Sequence, residues 1–454
     1  MSWITFELRL LMRSRLSLAT FLLMLTLSCL AVAMGLHEVK RQHHTLTRLN
    51  ALQSQDVAAV AEGFKSPDEA GKAAYYTFYN TWNPPSSMAF AALGMRDVAP
   101  YTMRVRALGL HAQLYAGETL NPELALAGRF DFAFVLIYLA PLFVISLFHD
   151  LISSERQSGR LGLLLSMPGP LGRLWVRRAS LRFTLMFACL GMPLLVGATL
   201  SNAALPDMAL TLVLIASYLA FWTGLSLLVA SRRWHATTQA IALMALWVTL
   251  TLVLPTLANI VLSRSLPVSQ GVELMMAQRD KVHGAWEVPR EKTMEAFFSS
   301  HPQWQNTPPL PQGFHWKWYF AFHQVGDENV AEQVQHYRNG LLARQHWTER
   351  LGWLLPGVAA QGALHQLAAT DLPAQLAYLD ATARFHQQIR GFYYPYLFND
   401  RPFGLDDFAQ RPVFSPQQQT SAIWTASTLV LTLISALVLG SGVRSLRLQA
   451  VQRH

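Results

Sequence analysis

Six apolar runs punctuate the chain, each near the ~20 residues that a helix needs to cross a bilayer core of ~30 Å. They cover residues 16–36, 131–149, 179–200, 207–230, 237–262 and 422–442. The intervening stretches are very unequal: two are long and polar to mixed (37–130 and 263–421), and one is basic and amphipathic (150–178). The third to fifth runs, inside 179–262, are joined by the turns 201–206 and 231–235. This pattern predicts a mainly α, polytopic membrane protein with six transmembrane helices and a composite, mostly helical extracytoplasmic domain made from both long stretches.

Local signals refine the elements. Residues 1–15 place Trp3, Phe6, Leu10 and Met12 among arginines, the signature of a helix lying along a membrane surface. Arg9, Arg13 and Arg15 followed by an apolar run and Ala31-Val32-Ala33 imitate a secretory leader, but the run exceeds a leader's core, so it reads as the first span. Residues 37–62 keep helical character up to Gly63. Asp131 is placed to cap the second span and Pro141 to kink it. The stretch 351–368 competes for a seventh span, but it carries Pro356, Gln361, His365 and Gln366. It therefore reads as a helix at the outer membrane surface or inside the soluble domain.

Composition supports the membrane class. Of 454 residues, 52% are hydrophobic and 14% charged, against about 25% charged in soluble domains. The net charge of +9 would suggest nucleic acid in a soluble protein, but here much of the arginine flanks apolar runs. The basic short segments (the N-terminus, 150–178, 231–235 and the tail 443–454) all fall on one side of a six-span layout, and 201–206 has no Lys or Arg. The positive-inside rule makes that side cytoplasmic, with both termini there, and predicts membrane lipid rather than nucleic acid as a partner. The two cysteines lie inside apolar runs and define no disulfide or metal framework.

Catalytic signatures do not occur. The chain has no G-x-x-x-x-G-K-[ST] loop, no H-E-x-x-H and no G-x-S-x-G, so no enzyme activity and no cofactor are expected in it. The spans hold no acidic pair or relay of ionisable groups that would mark an ion-coupled path. His301, His315, His323, His336, His346, His365 and His386 do not repeat at ligand spacing, although a membrane-anchored extracytoplasmic metalloenzyme using them is one alternative. The aromatic stretch 314–322 reads as core or as a substrate groove, with Trp304, Trp316, Trp318 and Tyr319 as the candidate surface for a substrate or partner.

With no engine of its own, the chain needs a handle for one. The segment 150–178 carries Glu155 and five arginines around the stripe Leu161, Leu163, Leu164, Leu165 and Met167, and Pro168-Gly169-Pro170 ends it. Read as one helix, it stacks Arg156 on Arg160 and gathers Leu151, Glu155, Gly159 and Gly162 on another face. Lipid phosphate and an acidic partner groove both fit those arginines.

Ser154-Glu155-Arg156-x-x-Gly159-x-Leu161-x-Leu163-Leu164-Leu165-Ser166-Met167-Pro168, followed by Arg173-Leu174, resembles the cytoplasmic segment of ABC-2-type transporter permeases, whose E-R/K-x-x-G-T-L pattern forms a coupling helix. Arg160 stands where the family usually has Thr. Gly128-Arg129-Phe130-Asp131 and Tyr138-Leu139-Ala140-Pro141-Leu142 resemble a subgroup with large extracytoplasmic inserts of unknown function. So do His301-Pro302-x-Trp304, Trp316-Lys317-Trp318-Tyr319 and Ala369-Thr370-Asp371-Leu372.

The resemblance implies a permease of an ATP-binding cassette exporter in the bacterial inner membrane. It implies pairing with a second permease, the same or similar, and docking to a cytosolic ATPase dimer that holds ATP and Mg. Glu155, Arg156, Gly159, Arg160, Leu161 and Leu164 would then couple to that ATPase. A force-transmitting complex acting on a periplasmic or outer-membrane partner, with no solute crossing, is the alternative within the family.

Overall fold

The computed structural model describes residues 3–63, 70–114, 128–165, 171–266, 271–416 and 426–451. Within them the protein is mainly helical, and six helices are long and apolar enough to cross a membrane. Pro168-Gly169-Pro170 and Asn121-Pro122 lie outside the described residues, as do Ser166 and Met167.

A short amphipathic helix, α1 (Trp3–Arg13), leads into α2 (Arg15–Glu62), whose N-cap Ser14 accepts from the Ser17 amide. At 1.5 Å per residue the 48 residues of α2 extend about 72 Å, far beyond one bilayer core. Its apolar first half packs in the bundle and its polar second half rises to wall the appended lobe. The helix α3 (Ala70–Tyr76) and strands β1 (Tyr79–Trp82) and β2 (Thr102–Val105) follow, the strands antiparallel with Tyr79 opposite Val105.

The second apolar helix, α4 (132–148), starts where Asp131 accepts from the Phe134 amide, which makes Asp131 the expected cap. Its residues Val135–Leu139 form a π turn just before Pro141. Proline has no N–H for the carbonyl of Ile137 four residues back. The Tyr218 hydroxyl donates to that carbonyl instead, at 3.0 Å. Next come α5 (Ser153–Gln157), α6 (Arg160–Leu165), α7 (Leu171–Leu200), α8 (Leu205–Ala230) and α9 (236–265), the last with its own π segment, Val248–Val253, before Pro255.

The second long stretch holds α10 (Gly271–Ala285), α11 (Arg290–Ser300), α12 (Trp316–Glu328), α13 (Ala331–Gly352), α14 (Pro356–Leu367) and α15 (Leu372–Phe398). The last apolar helix, α16 (Ala426–Val451), runs along α8, where Ser217 and Thr432 share a 3.1 Å hydroxyl contact.

Among the described residues, buried apolar side chains form two large clusters and one small one. One fills the helix bundle. The other fills the lobe and draws on both long polar stretches, from Val57–Leu114 and from Leu274–Phe414. The lobe's strands lie on α15, with Tyr79 hydroxyl 2.8 Å from that of Tyr393, and Thr81 Oγ1 3.0 Å from Tyr378 hydroxyl.

As expected, the stretch 351–368 is not a seventh candidate span, but it packs on the bundle and not inside the lobe's core. Only Pro356–Leu367 of it forms α14, about 18 Å long and so too short to span. Its Ala359, Ala360, Ala363 and Leu364 belong to the bundle cluster, not to the lobe. Small residues let its backbone come close to α8 and α16. A second segment, Met88–Ala92, enters the same cluster from the lobe. A Cβ at Gly35 would overlap the Phe90 carbonyl, so glycine on α2 is what lets this segment seat.

Candidate functional site

The segment 150–165 lies at the basic end of the bundle and is not one helix. Gly159 has φ +73°, a left-handed conformation that costs a residue with a Cβ but not glycine. It ends α5 and lets the chain restart as α6. This break separates Arg156 from Arg160, and it separates Glu155 from Gly162, so the two helical faces drawn from sequence do not form.

Each short helix is fixed from below. Glu155 turns inward, its side chain 12% exposed, and takes Arg178 Nη1 at 2.9 Å and Arg160 Nε at 2.9 Å. Arg178 also donates Nε to Glu7 of α1 at 3.1 Å, so one guanidinium on α7 holds α1 and α5 together. Ser153 Oγ donates to Gln239 Oε1 at 3.1 Å, while the Gln239 amide nitrogen donates to the Arg232 carbonyl at 3.1 Å. Thus α5 is tied to α1, α7 and the α8–α9 turn.

The six residues expected to form the coupling surface divide accordingly. Leu161 is buried in the bundle cluster and Leu164 packs against it. Glu155 and Arg156 are half-buried. Gly159 and Arg160 are exposed, and they share the outward surface with Gln157, Gly162 and Leu163, the last 69% exposed.

Sequence reasoning missed Leu163 because it stands in the same leucine stripe as Leu161 and Leu164. An i, i+3 count separates them: Leu161 and Leu164 share a face and Leu163 leaves it. It also missed Glu7, Arg178 and Gln239, whose roles come from contacts distant in sequence. A cavity of about 630 Å³ opens between α1 and this segment, bounded by Trp3, Phe6, Leu10, Leu163 and Arg177.

In the lobe the four candidate aromatics do not form one surface. Trp316, Trp318 and Tyr319 join Tyr75, Trp286, Phe314 and Phe322 in edge and tilted contacts with centroids 5.0–5.6 Å apart. Trp304 packs elsewhere, on Phe398 at 5.8 Å. Trp318 is buried and the others are half-buried, so core packing accounts for them.

The lobe's polar centre is Asp327. Its carboxylate accepts Gln278 Nε2 at 2.7 Å, Arg390 Nη2 at 2.8 Å and the Leu110 amide at 3.0 Å. Burial pushes the Asp327 carboxyl up, but Arg390, with His111 and His386, holds it below the usual range. His386 Nε2 donates to the Leu108 carbonyl at 2.7 Å, and Arg390 Nη2 donates to the same oxygen at 2.8 Å. Burial first, then Arg390, push the His386 ring down to about 3 and His323 down to about 4. Among the described residues no three His, Cys, Asp or Glu side chains stand together as a metal site.

A second knot joins lobe to bundle. Asp131 accepts the Leu93 amide at 2.9 Å in addition to capping α4. The Ala133 amide donates to the Ala91 carbonyl at 2.9 Å. Thr370 Oγ1 donates to the Ala92 carbonyl at 2.9 Å, and the Met95 amide to the Thr370 carbonyl at 2.7 Å. Asp371, one residue on, caps α15 through the Ala374 amide at 3.0 Å.

A family model described as a domain of unknown function (DUF3526) matches residues 272–417. The match lies between α9 and α16, and covers the lobe's second stretch, including α14 and Asp327. Comparisons with curated proteins and with solved structures give no match.

Proposed function

We propose that the chain is the membrane-spanning permease subunit of an ABC-2-type exporter in a bacterial inner membrane. It would pair with a second permease and be driven by a separate cytosolic ATPase dimer that holds ATP and Mg. The observation that carries this reading is the anchoring of 153–165. A segment that projects Arg160 and Leu163 outward while Arg178 and Gln239 tie its root to α1, α7 and the α8–α9 turn is suited to receive a push. It joins the resemblance of Glu155-Arg156-x-x-Gly159 and the six apolar helices. In this reading the basic end and both termini are cytoplasmic and the lobe is extracytoplasmic. ATPase closure would shift α5–α6 as a unit, and α1, α7 and α8–α9 would follow.

The entry of Met88–Ala92 and α14 into the bundle core favours a second form of the same reading. Bundle motion would act on the lobe, and the complex would work on a periplasmic partner without passing a solute. No cluster among the described residues favours the metalloenzyme reading.

The test is co-expression of the chain with its ATPase and purification by a tag on the permease. The substitution Leu163→Asp alters an exposed side chain and leaves the ion pairs of Glu155 with Arg160 and Arg178 in place, so membrane insertion should persist. Bound ATPase is expected to fall at least about tenfold, equivalent to about 1.4 kcal/mol. Undiminished ATPase in the purified complex would remove 153–165 as the docking surface.

A further inference from the structure

The cavity beside α1 has two kinds of wall. Trp3, Phe6, Leu10, Leu163 and Leu174 make one side apolar. Arg160, Arg177 and Arg178 face it across Glu7 and Glu155, so three cations meet two anions. Arg178 is spent on both glutamates and Arg160 on Glu155. The remaining cation, Arg177, is exposed and makes no ion pair among the described residues; its guanidinium sits 5.2 Å from the centre of the Trp3 ring. An anion entering the cavity would therefore meet Arg177 without displacing a carboxylate.

The surroundings decide what kind of anion. On α1, Ile4, Phe6, Leu10 and Met12 are all exposed, Phe6 by 60%. A chain leaving the cavity would run along that apolar face instead of entering water. Leu174, Arg177 and Arg178, in the first turns of α7, line the cavity, which in the membrane-spanning reading would put it at the level of the headgroups. We propose that it holds one anionic phospholipid, with its phosphate on Arg177 and an acyl chain along Phe6 and Leu10. The lipid would brace α1 against the coupling segment from the side that Arg178 does not hold. This rests on the membrane-spanning reading of the six helices.

Native mass spectrometry of the full chain in detergent, titrated with phosphatidylglycerol or with phosphatidylcholine of the same chains, tests it. Phosphatidylglycerol should be retained at one per chain, in preference to phosphatidylcholine. Arg177→Gln should lower its affinity about fivefold. Leu163→Trp, which fills the cavity from an exposed position, should weaken both lipids. Equal retention of the two lipids by the wild type, or unchanged retention in Arg177→Gln, overturns the site. Competition by glycerol phosphate as strong as by the lipid shows that free phosphate is the ligand and also overturns it. Flotation with phosphatidylcholine vesicles reports on the spanning reading separately: a chain that floats yet shows no phosphatidylglycerol preference sinks the site alone, and a chain that does not float sinks both.

Discussion

At the scale of single residues, the lobe's stability depends on keeping two histidine rings neutral. His323 and His386 are both pushed down from 6.5, by burial and by Arg390, to about 4 and about 3. Above pH ~6.5 both states of the chain hold the rings neutral and nothing is lost. As pH falls below that, the unfolded chain takes up protons that the folded lobe refuses. The folded state therefore loses stability from about pH 6.5 down toward pH 4, by at most about 1.4 kcal/mol per pH unit for each ring. Asp327, whose pKa is lowered, adds a loss of the same sign but later, as pH falls below its ordinary value of 3.8. Thermal unfolding followed from pH 7 to pH 4.5 should show a steady decline. His386→Gln keeps a donor for the Leu108 carbonyl and should make the slope shallower. A melting temperature that is flat over this range would show that the rings are not held neutral.

At the scale of elements, the proposed coupling segment would work through its root. Glu155 is reached by two guanidinium groups from different helices, and removing it leaves Arg178 half-buried with Glu7 alone. Breaking one partner of such a buried pair costs more than the pair itself contributes. Glu155→Ala should therefore leave ATPase docking intact, because the outward side chains Arg160 and Leu163 remain. It should reduce permease-stimulated ATP hydrolysis several-fold, because α5 is no longer fixed to α1 and α7. Wild-type stimulation, or loss of docking with stimulation, would contradict a positioning role.

Much of this level was legible in the chain. The apolar runs and the Asp131 cap follow from composition and spacing. The break at Gly159 was not legible, because the sign of a glycine's φ is set by where Leu161 and Leu164 must bury. The strands 79–82 and 102–105 are four residues each, too short for alternation to declare them. α14 was read as surface or lobe because its alanines look the same in any core, and only packing against α8 and α16 assigns them to the bundle.

At the scale of the whole molecule, the question is how motion at the basic end would reach the lobe some tens of ångströms away. α2 is one continuous helix through both, but a straight rod transmits tilt and little else. The knot at Asp131, Leu93 and Thr370 offers a sharper link. α4, which leads from this knot down to α5, starts on the same carboxylate that holds the Leu93 amide. Thr370 grips the Ala92 carbonyl and is followed by Asp371, the cap of α15, on which the lobe's sheet lies. A displacement of α4 would thus pull on 91–95 and, through Thr370, on the first turn of α15. Hydrogen exchange on the reconstituted complex, with and without ATP, should show altered protection both in α4 and at residues 93–96 and 374–378. Thr370→Val keeps the shape but removes the donor to Ala92. In that variant the ATP-dependent change should persist in α4 and weaken at 374–378, with ATP hydrolysis little changed. Unaltered protection at 374–378 in the wild type would mean that the lobe does not feel the bundle, and transport through the bundle would then be favoured over force on an outer partner.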